Sequence, residues 1–106
     1  LTFNEAPNFW RTLEKLAWAG EILVLDSFST DETLRIVRSF PHVRILQRKF
    51  DDHASQWNFG VQQVNTEWVL ALDADYVLAD EFAAELSKLK TPDDFPPRTP
   101  LYNSLL

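Results

Sequence analysis

Three places in this 106-residue chain set carboxylates beside short apolar runs, and Asp73-Ala74-Asp75 is the most suggestive of them. Two carboxylates one residue apart, just past an apolar run, offer the oxygen donors that a hard divalent cation takes. Such a cation neutralises a diphosphate and stabilises it as a leaving group. The plainer reading is that acids often open loops and Asp75 serves a turn. Asp26 ends the run LVLD, and Asp51-Asp52 lie in the loop beyond VRILQ. Ligands of open α/β sheets collect outside the carboxyl ends of the strands. One acid at such an end means little; three converging on one rim would make a site.

The neighbours of these acids have ordinary explanations to set against functional ones. Ser29 with Glu32 fits a capping box for a following helix. Asp26 is not needed for that cap, and its carboxylate can accept hydrogen bonds from a base or a ribose. Asp52 is a plausible helix N-cap, and Trp57 is more at home in a core than as a ligand platform. His53 is a poor metal candidate, because the other histidine, His42, begins a different run. Arg48 and Lys49 suit either a phosphate counter-charge or a solvated surface.

Positioning these residues requires strands and helices in alternation. Residues 1–3 suit the tail of a first strand. Residues 21–26 (EILVLD), 43–47 (VRILQ) and 67–73 (EWVLALD) are near-continuous apolar runs, as expected of strands buried on both faces of a parallel sheet. Phe9, Leu13, Leu16 and Ala17 share one helical face, and Leu34, Ile36 and Val37 mark a second helix. Ala54, Trp57, Val61 and Val64 mark a third, and Phe82, Leu86 and Leu89 a fourth. The order predicts a three-layer α/β/α sandwich with a mostly parallel sheet, a Rossmann-like nucleotide-binding half. Residues 1–90 form the expected domain. Residues 91–106, with Pro92, Pro96, Pro97 and Pro100, read as a loop or disordered tail.

Composition narrows the function further. Apolar residues make up 45% of the chain, with eight Phe and four Trp, so it is globular rather than disordered. The net charge of −6 argues against a nucleic-acid partner, which Lys and Arg would hold. No cysteine is present, so disulfides and thiolate metal sites are excluded. No apolar run reaches the ~20 residues of a membrane span, and residues 1–5 lack the features of a signal peptide. The cytoplasm is the expected compartment. A first residue other than Met suggests a piece of a longer chain. An incomplete first strand would expose hydrogen-bonding groups and invite pairing with a second copy.

The residues TFNEA (2–6), LVLDSFSTDET (23–33), FDDHA-x-Q-x-N (50–58) and ALDADY (71–76) together resemble family 2 glycosyltransferases of the GT-A fold. The bacterial enzymes that build lipopolysaccharide core and related surface glycans are the most similar group. The resemblance covers roughly residues 1–90 and implies a nucleotide-diphospho-sugar donor, a UDP-sugar first among them, with Mg²⁺ or Mn²⁺. It places Phe3, Asn4 and Glu5 in the nucleotide site, Phe3 and Asn4 beside the base. It sets Asp26 at the base or ribose, Gln56 and Asn58 along the donor pocket, and Asp73 at the ribose and sugar. Asp75, with Asp73, would ligate the metal. The acceptor, a glycan or lipid, and the catalytic base are expected outside this chain, with peripheral attachment to the inner face of a membrane.

Two rival activities fit less well. Residues 70–78 also resemble the nucleophile motif of haloacid-dehalogenase-like phosphatases, but that motif opens its fold and needs downstream partners. Two glycines cannot build the G-x-G-x-x-G turn of a nicotinamide-binding domain. An inactive fragment or a non-catalytic binding module is the remaining alternative.

Overall fold

The computed structural model describes residues 1–88 of the chain. Its elements run α1 (Ala6–Glu14), β1 (Ile22–Asp26), α2 (Thr33–Arg38), β2 (Val43–Gln47), α3 (His53–Gln62) and α4 (Asp80–Lys88). Pro7 stands in the first turn of α1, where its fixed φ suits a helix start and its missing N–H costs nothing. Asp52 caps α3 as expected, its carboxylate accepting the Ser55 N–H at 2.7 Å. The tail expectation for residues 91–106 and the last apolar position, Leu89, lie outside the described residues.

β1 and β2 pair in parallel, Ile22 opposite Val43 through Asp26 opposite Gln47. On one face Ile22 and Val24 pack with Phe9 and Leu13 of α1, Leu16 just beyond it and Val37 of α2, with Val43 and Ile45 against them. On the other face Leu25 meets α3, where a Cβ added at Gly60 would lie 3.6 Å from Leu25 Cδ2. Helices therefore cover both faces of the sheet, and the expected α/β layering is present. α4 is tied back to α1 by Lys15 and Asp80, 3.1 Å apart.

The two other expected strands, residues 1–3 and 67–73, are reduced to short contacts. Thr2 forms an isolated parallel bridge with Asp26, through Thr2 N–H to Leu25 O and Ser27 N–H to Thr2 O, both at 3.0 Å. On its far side the Leu1 amino group donates to Leu72 O at 3.1 Å, and Ala74 N–H donates to Leu1 O at 3.1 Å. That pair of bonds has the slanted geometry of a parallel ladder. The backbone order is thus β2, β1, residues 1–2, residues 72–74. The fourth strand expected over residues 67–73 is not formed as such. Its composition suits a strand, and its ladder contact is with Leu1.

Candidate functional site

With residues 1–2 in the middle, the chain departs to β1 on one side and returns to residues 72–74 on the other. This is a topological switch point, where the crevice outside the strand ends opens to a ligand. Three loops border it: residues 3–5, residues 27–31 and the turn 73–76.

The first two loops are bound together by side chains. Asn4 has φ 51°, a left-handed conformation that asparagine tolerates better than most residues. Its Oδ1 accepts Thr30 N–H at 2.8 Å and Asp31 N–H at 3.3 Å, and its own N–H donates to Ser29 Oγ at 2.9 Å. Glu5 N–H donates to Thr33 Oγ1 at 3.0 Å, and Ala6 N–H to Asp31 Oδ2 at 3.3 Å. Asp31 also accepts the Thr33 hydroxyl and N–H. The Thr33 hydroxyl, ahead of these amides, holds the Asp31 carboxyl below its usual range.

Asp26 anchors this mesh from below. It is 0% exposed and accepts Ser29 N–H at 2.8 Å, Ser29 Oγ–H at 2.5 Å and Gln47 Nε2–H at 3.2 Å. The direct contact to a base or ribose expected of it is closed off in this arrangement. Its carboxylate reaches the surface through Ser29 and Gln47. The expected capping box is likewise not made: α2 starts at Thr33 with Glu32 as N-cap and no side-chain cap bond. Ser29 is instead committed to Asp26 and Asn4.

Gln56 is 0% exposed, so it does not line an open pocket as expected. Its Nε2 donates to Ser27 Oγ and Arg48 O, both at 3.1 Å, and its Oε1 accepts Arg48 Nη1–H at 2.7 Å. Arg48 further contacts Asp51 at 3.3 Å and lies over the Phe59 ring. The N–H of Asp52, ahead of Arg48, holds the Asp51 carboxyl below its usual range. Asn58, two residues on, is exposed. Ser27 and Arg48 are thus positioned members of the rim, a role that no local sequence pattern signals.

The Asp73–Asp75 turn closes the other side. Tyr76 N–H donates to Asp73 O at 3.1 Å, and the buried Thr12 hydroxyl of α1 donates to Ala74 O at 2.7 Å. Asp73 is half-buried, Asp75 exposed. Asp73 lies near enough to the Leu1 ammonium to raise its pKa, although burial, the larger effect, lowers it. Among the described residues no three His, Cys, Asp or Glu side chains gather to hold a metal. A cavity of about 560 Å³ lies elsewhere, beneath the rim between β1, α1, α3 and residues 66–74. Its lining is mainly apolar, and of the expected site residues only Asp73 reaches it.

Phe3, Asn4 and Asp75 therefore present surface at the strand ends, with Asp26 and Gln56 buried and Asn58 exposed on α3. Comparison with known sequences decides the family. Residues 1–94 match the pattern described as Glycosyl transferase family 2. The chain belongs to the family 2 glycosyltransferases. It is 35% identical over 92 residues to the SPbeta prophage-derived glycosyltransferase SunS of Bacillus subtilis (strain 168), covering 84% of this chain and 22% of that protein. It is 29% identical over 79 residues to the lipopolysaccharide core biosynthesis glycosyltransferase LpsC of Rhizobium meliloti (strain 1021), covering 71% and 29%. An uncharacterized glycosyltransferase of Rickettsia bellii (strain RML369-C) is 30% identical over 87 residues, covering 81% and 29%. The chain spans less than a third of the length of these relatives.

Proposed function

We propose that this chain forms the donor side of a glycosyltransferase and binds a nucleotide-diphospho-sugar, a UDP-sugar first, with Mg²⁺ or Mn²⁺. The observation that carries the reading is the switch point at residues 1–2, flanked by the Asn4–Thr30 mesh and the Asp73–Asp75 turn. Phe3 and Asn4 take the nucleoside end. Asp26 acts there through Ser29, and Gln56 through Ser27. Asn58 borders the pocket, Glu5 helps hold the first loop, and Asp73 faces the ribose and sugar.

Asp75 and Asp73 fit the metal in kind. Mg²⁺ is commonly held by one or two carboxylates, with substrate phosphates and water completing its shell. Two acids in a turn therefore suffice when the diphosphate is the third partner. The bound cation would supply charge neutralisation of the leaving diphosphate. Asp73 and Asp75 fix its place, and the bond from Thr12 to Ala74 O fixes theirs.

The acceptor is a glycan or lipid, and bacterial cell-surface polysaccharide synthesis is the proposed setting, in keeping with the name of the Rhizobium relative. Among the described residues no helix is long and apolar enough to cross a membrane. The cytoplasm, with peripheral attachment to the inner membrane face, is the setting we infer for the protein. No described residue is assigned as the base that deprotonates the acceptor.

Calorimetry with UDP tests the donor site. Wild type should bind in a Mn²⁺-dependent manner, and Asp75→Ala should bind at least tenfold more weakly. Equal, metal-independent binding by both proteins would contradict the reading, and no binding by the folded chain would favour a non-catalytic fragment.

A further inference from the structure

The apolar cavity beneath the rim is one strand wide. At the carboxyl end of β1, residues 1–2 stand between its two walls. Thr2 N–H donates to Leu25 O at 3.0 Å on one side, and the Leu1 amino group to Leu72 O at 3.1 Å on the other. Two inter-strand steps of about 4.8 Å therefore separate the walls. Behind residues 1–2 both walls continue, Ile22 to Leu25 on one side and Val69 to Leu72 on the other, around about 560 Å³. An extended segment of about four residues, rising roughly 3.3 Å each, matches that length.

The β1 wall turns backbone polar groups into this space. Arg48 N–H donates to Asp26 O at 2.9 Å, so Asp26, Val24 and Ile22 direct their backbone groups to β2. Leu25 and Leu23 direct theirs the other way, because alternate residues of a parallel strand bond to opposite neighbours. Leu25 O meets Thr2 N–H, whereas Leu25 N–H and both groups of Leu23 aim into the cavity and bond to no described residue. Leu25 is 2% exposed, and a buried backbone donor calls for a partner. The remaining lining is apolar on both faces, Phe9 and Leu13 of α1 on one and Trp57 and Val61 of α3 on the other. Polar backbone along the edge with apolar side chains above and below is the environment of a strand buried in a parallel sheet.

We propose that this cavity is an acceptor slot for one extended apolar peptide, which adds between β1 and residues 69–72 as a strand supplied by a separate chain. Main-chain bonds to Leu23 and Leu25 give such a peptide its affinity, and the two apolar faces select its side chains. An acyl chain or another purely apolar guest would leave the buried Leu25 N–H unpaired, at a cost that a peptide does not incur. The slot is separate from the donor reading, since of the residues assigned to the donor only Asp73 reaches it.

The peptide acetyl-Lys-Val-Ile-Val-Val-amide is the probe, and Trp57 and Trp68, which line the cavity, report its arrival by fluorescence. Binding should be saturable, should raise the melting temperature by several degrees and should slow hydrogen exchange of the Leu25 amide at least tenfold. The same peptide N-methylated at alternate residues keeps its apolarity but loses the donors along one edge, and should bind at least tenfold more weakly. Equal binding of the two peptides would overturn the proposal in favour of a merely apolar pocket. Absence of binding by the folded monomer would overturn it too. A dimer in sizing experiments, with the Leu25 amide already protected and the peptide excluded, would assign the slot to a second copy instead.

Discussion

The two sides of the crevice are held in contrasting ways. Residues 3–6 and 26–33 are joined by a dense set of side-chain bonds over a fully buried carboxylate. The 73–76 turn carries Asp73 and Asp75 on an extended segment without regular structure, fastened by Thr12, by Leu1 and by one turn bond. A ligand's nucleoside end would meet a preformed surface, whereas its diphosphate end would meet one that still has to be ordered. The first would lower the entropic cost of binding, and the second would add an ordering cost to it.

Asp26→Ala should break the contrast most severely. It removes an acceptor of three hydrogen bonds and strands Ser29 and Gln47 donors, at a cost of about 3 kcal/mol. Urea denaturation measures this, and Asn4, Thr30 and Asp31 amides should lose exchange protection together. Thr12→Val should cost less, about 1 kcal/mol for a neutral bond. Its effect should be local, with faster exchange at residues 72–76 and weaker Mn²⁺-dependent nucleotide binding. If Thr12→Val destabilised the protein as much as Asp26→Ala, the two sides would be equally anchored.

Asp31→Asn should have the smallest effect, present near neutral pH and vanishing in acid. Because the folded-state pKa of Asp31 is lowered, its contribution to stability is present above the unfolded value of about 3.8 and is lost as pH falls through the folded one. Wild-type stability should therefore decline across that window, and the variant should lack this part of the decline. Acid titration followed by amide shifts of Ala6 and Thr33 reads it directly; identical acid limbs would remove Asp31 from the mesh.

Local chemistry was legible in the sequence where it acts over a few residues. Asp52 and Ser55 made their cap, and the apolar runs at residues 22–26 and 43–47 became strands because each met a partner of equal length. Ser29 and Glu32 carry the same kind of local signal, yet Ser29 bonds to Asn4, 25 residues away. A long-range donor, the Asn4 N–H, together with the nearby acceptor Asp26 outcompeted the cap. Gln56 sits within a helix whose period pointed to Ala54, Trp57, Val61 and Val64 as the inner face. Ala54 and Val61 are exposed, and Gln56 is buried because Ser27 and Arg48 satisfy its amide. Residues 67–73 had a strand's composition, yet their end is tied to the sheet by contacts with Leu1 alone among the described residues. The acids at the strand ends were readable as a group; which would be exposed and which would be structural depended on contacts between segments.

Amide chemical-shift mapping with UDP and Mg²⁺ tests the donor crevice most directly. Shifts should appear in residues 2–5, 27–31 and 73–76, and replacing Mg²⁺ by Mn²⁺ should broaden signals outward from Asp75. Shifts confined to Trp57, Gly60, Val61, Val64 and Trp68, around the apolar cavity, or broadening that ignores Asp75, would contradict a donor site at the switch point.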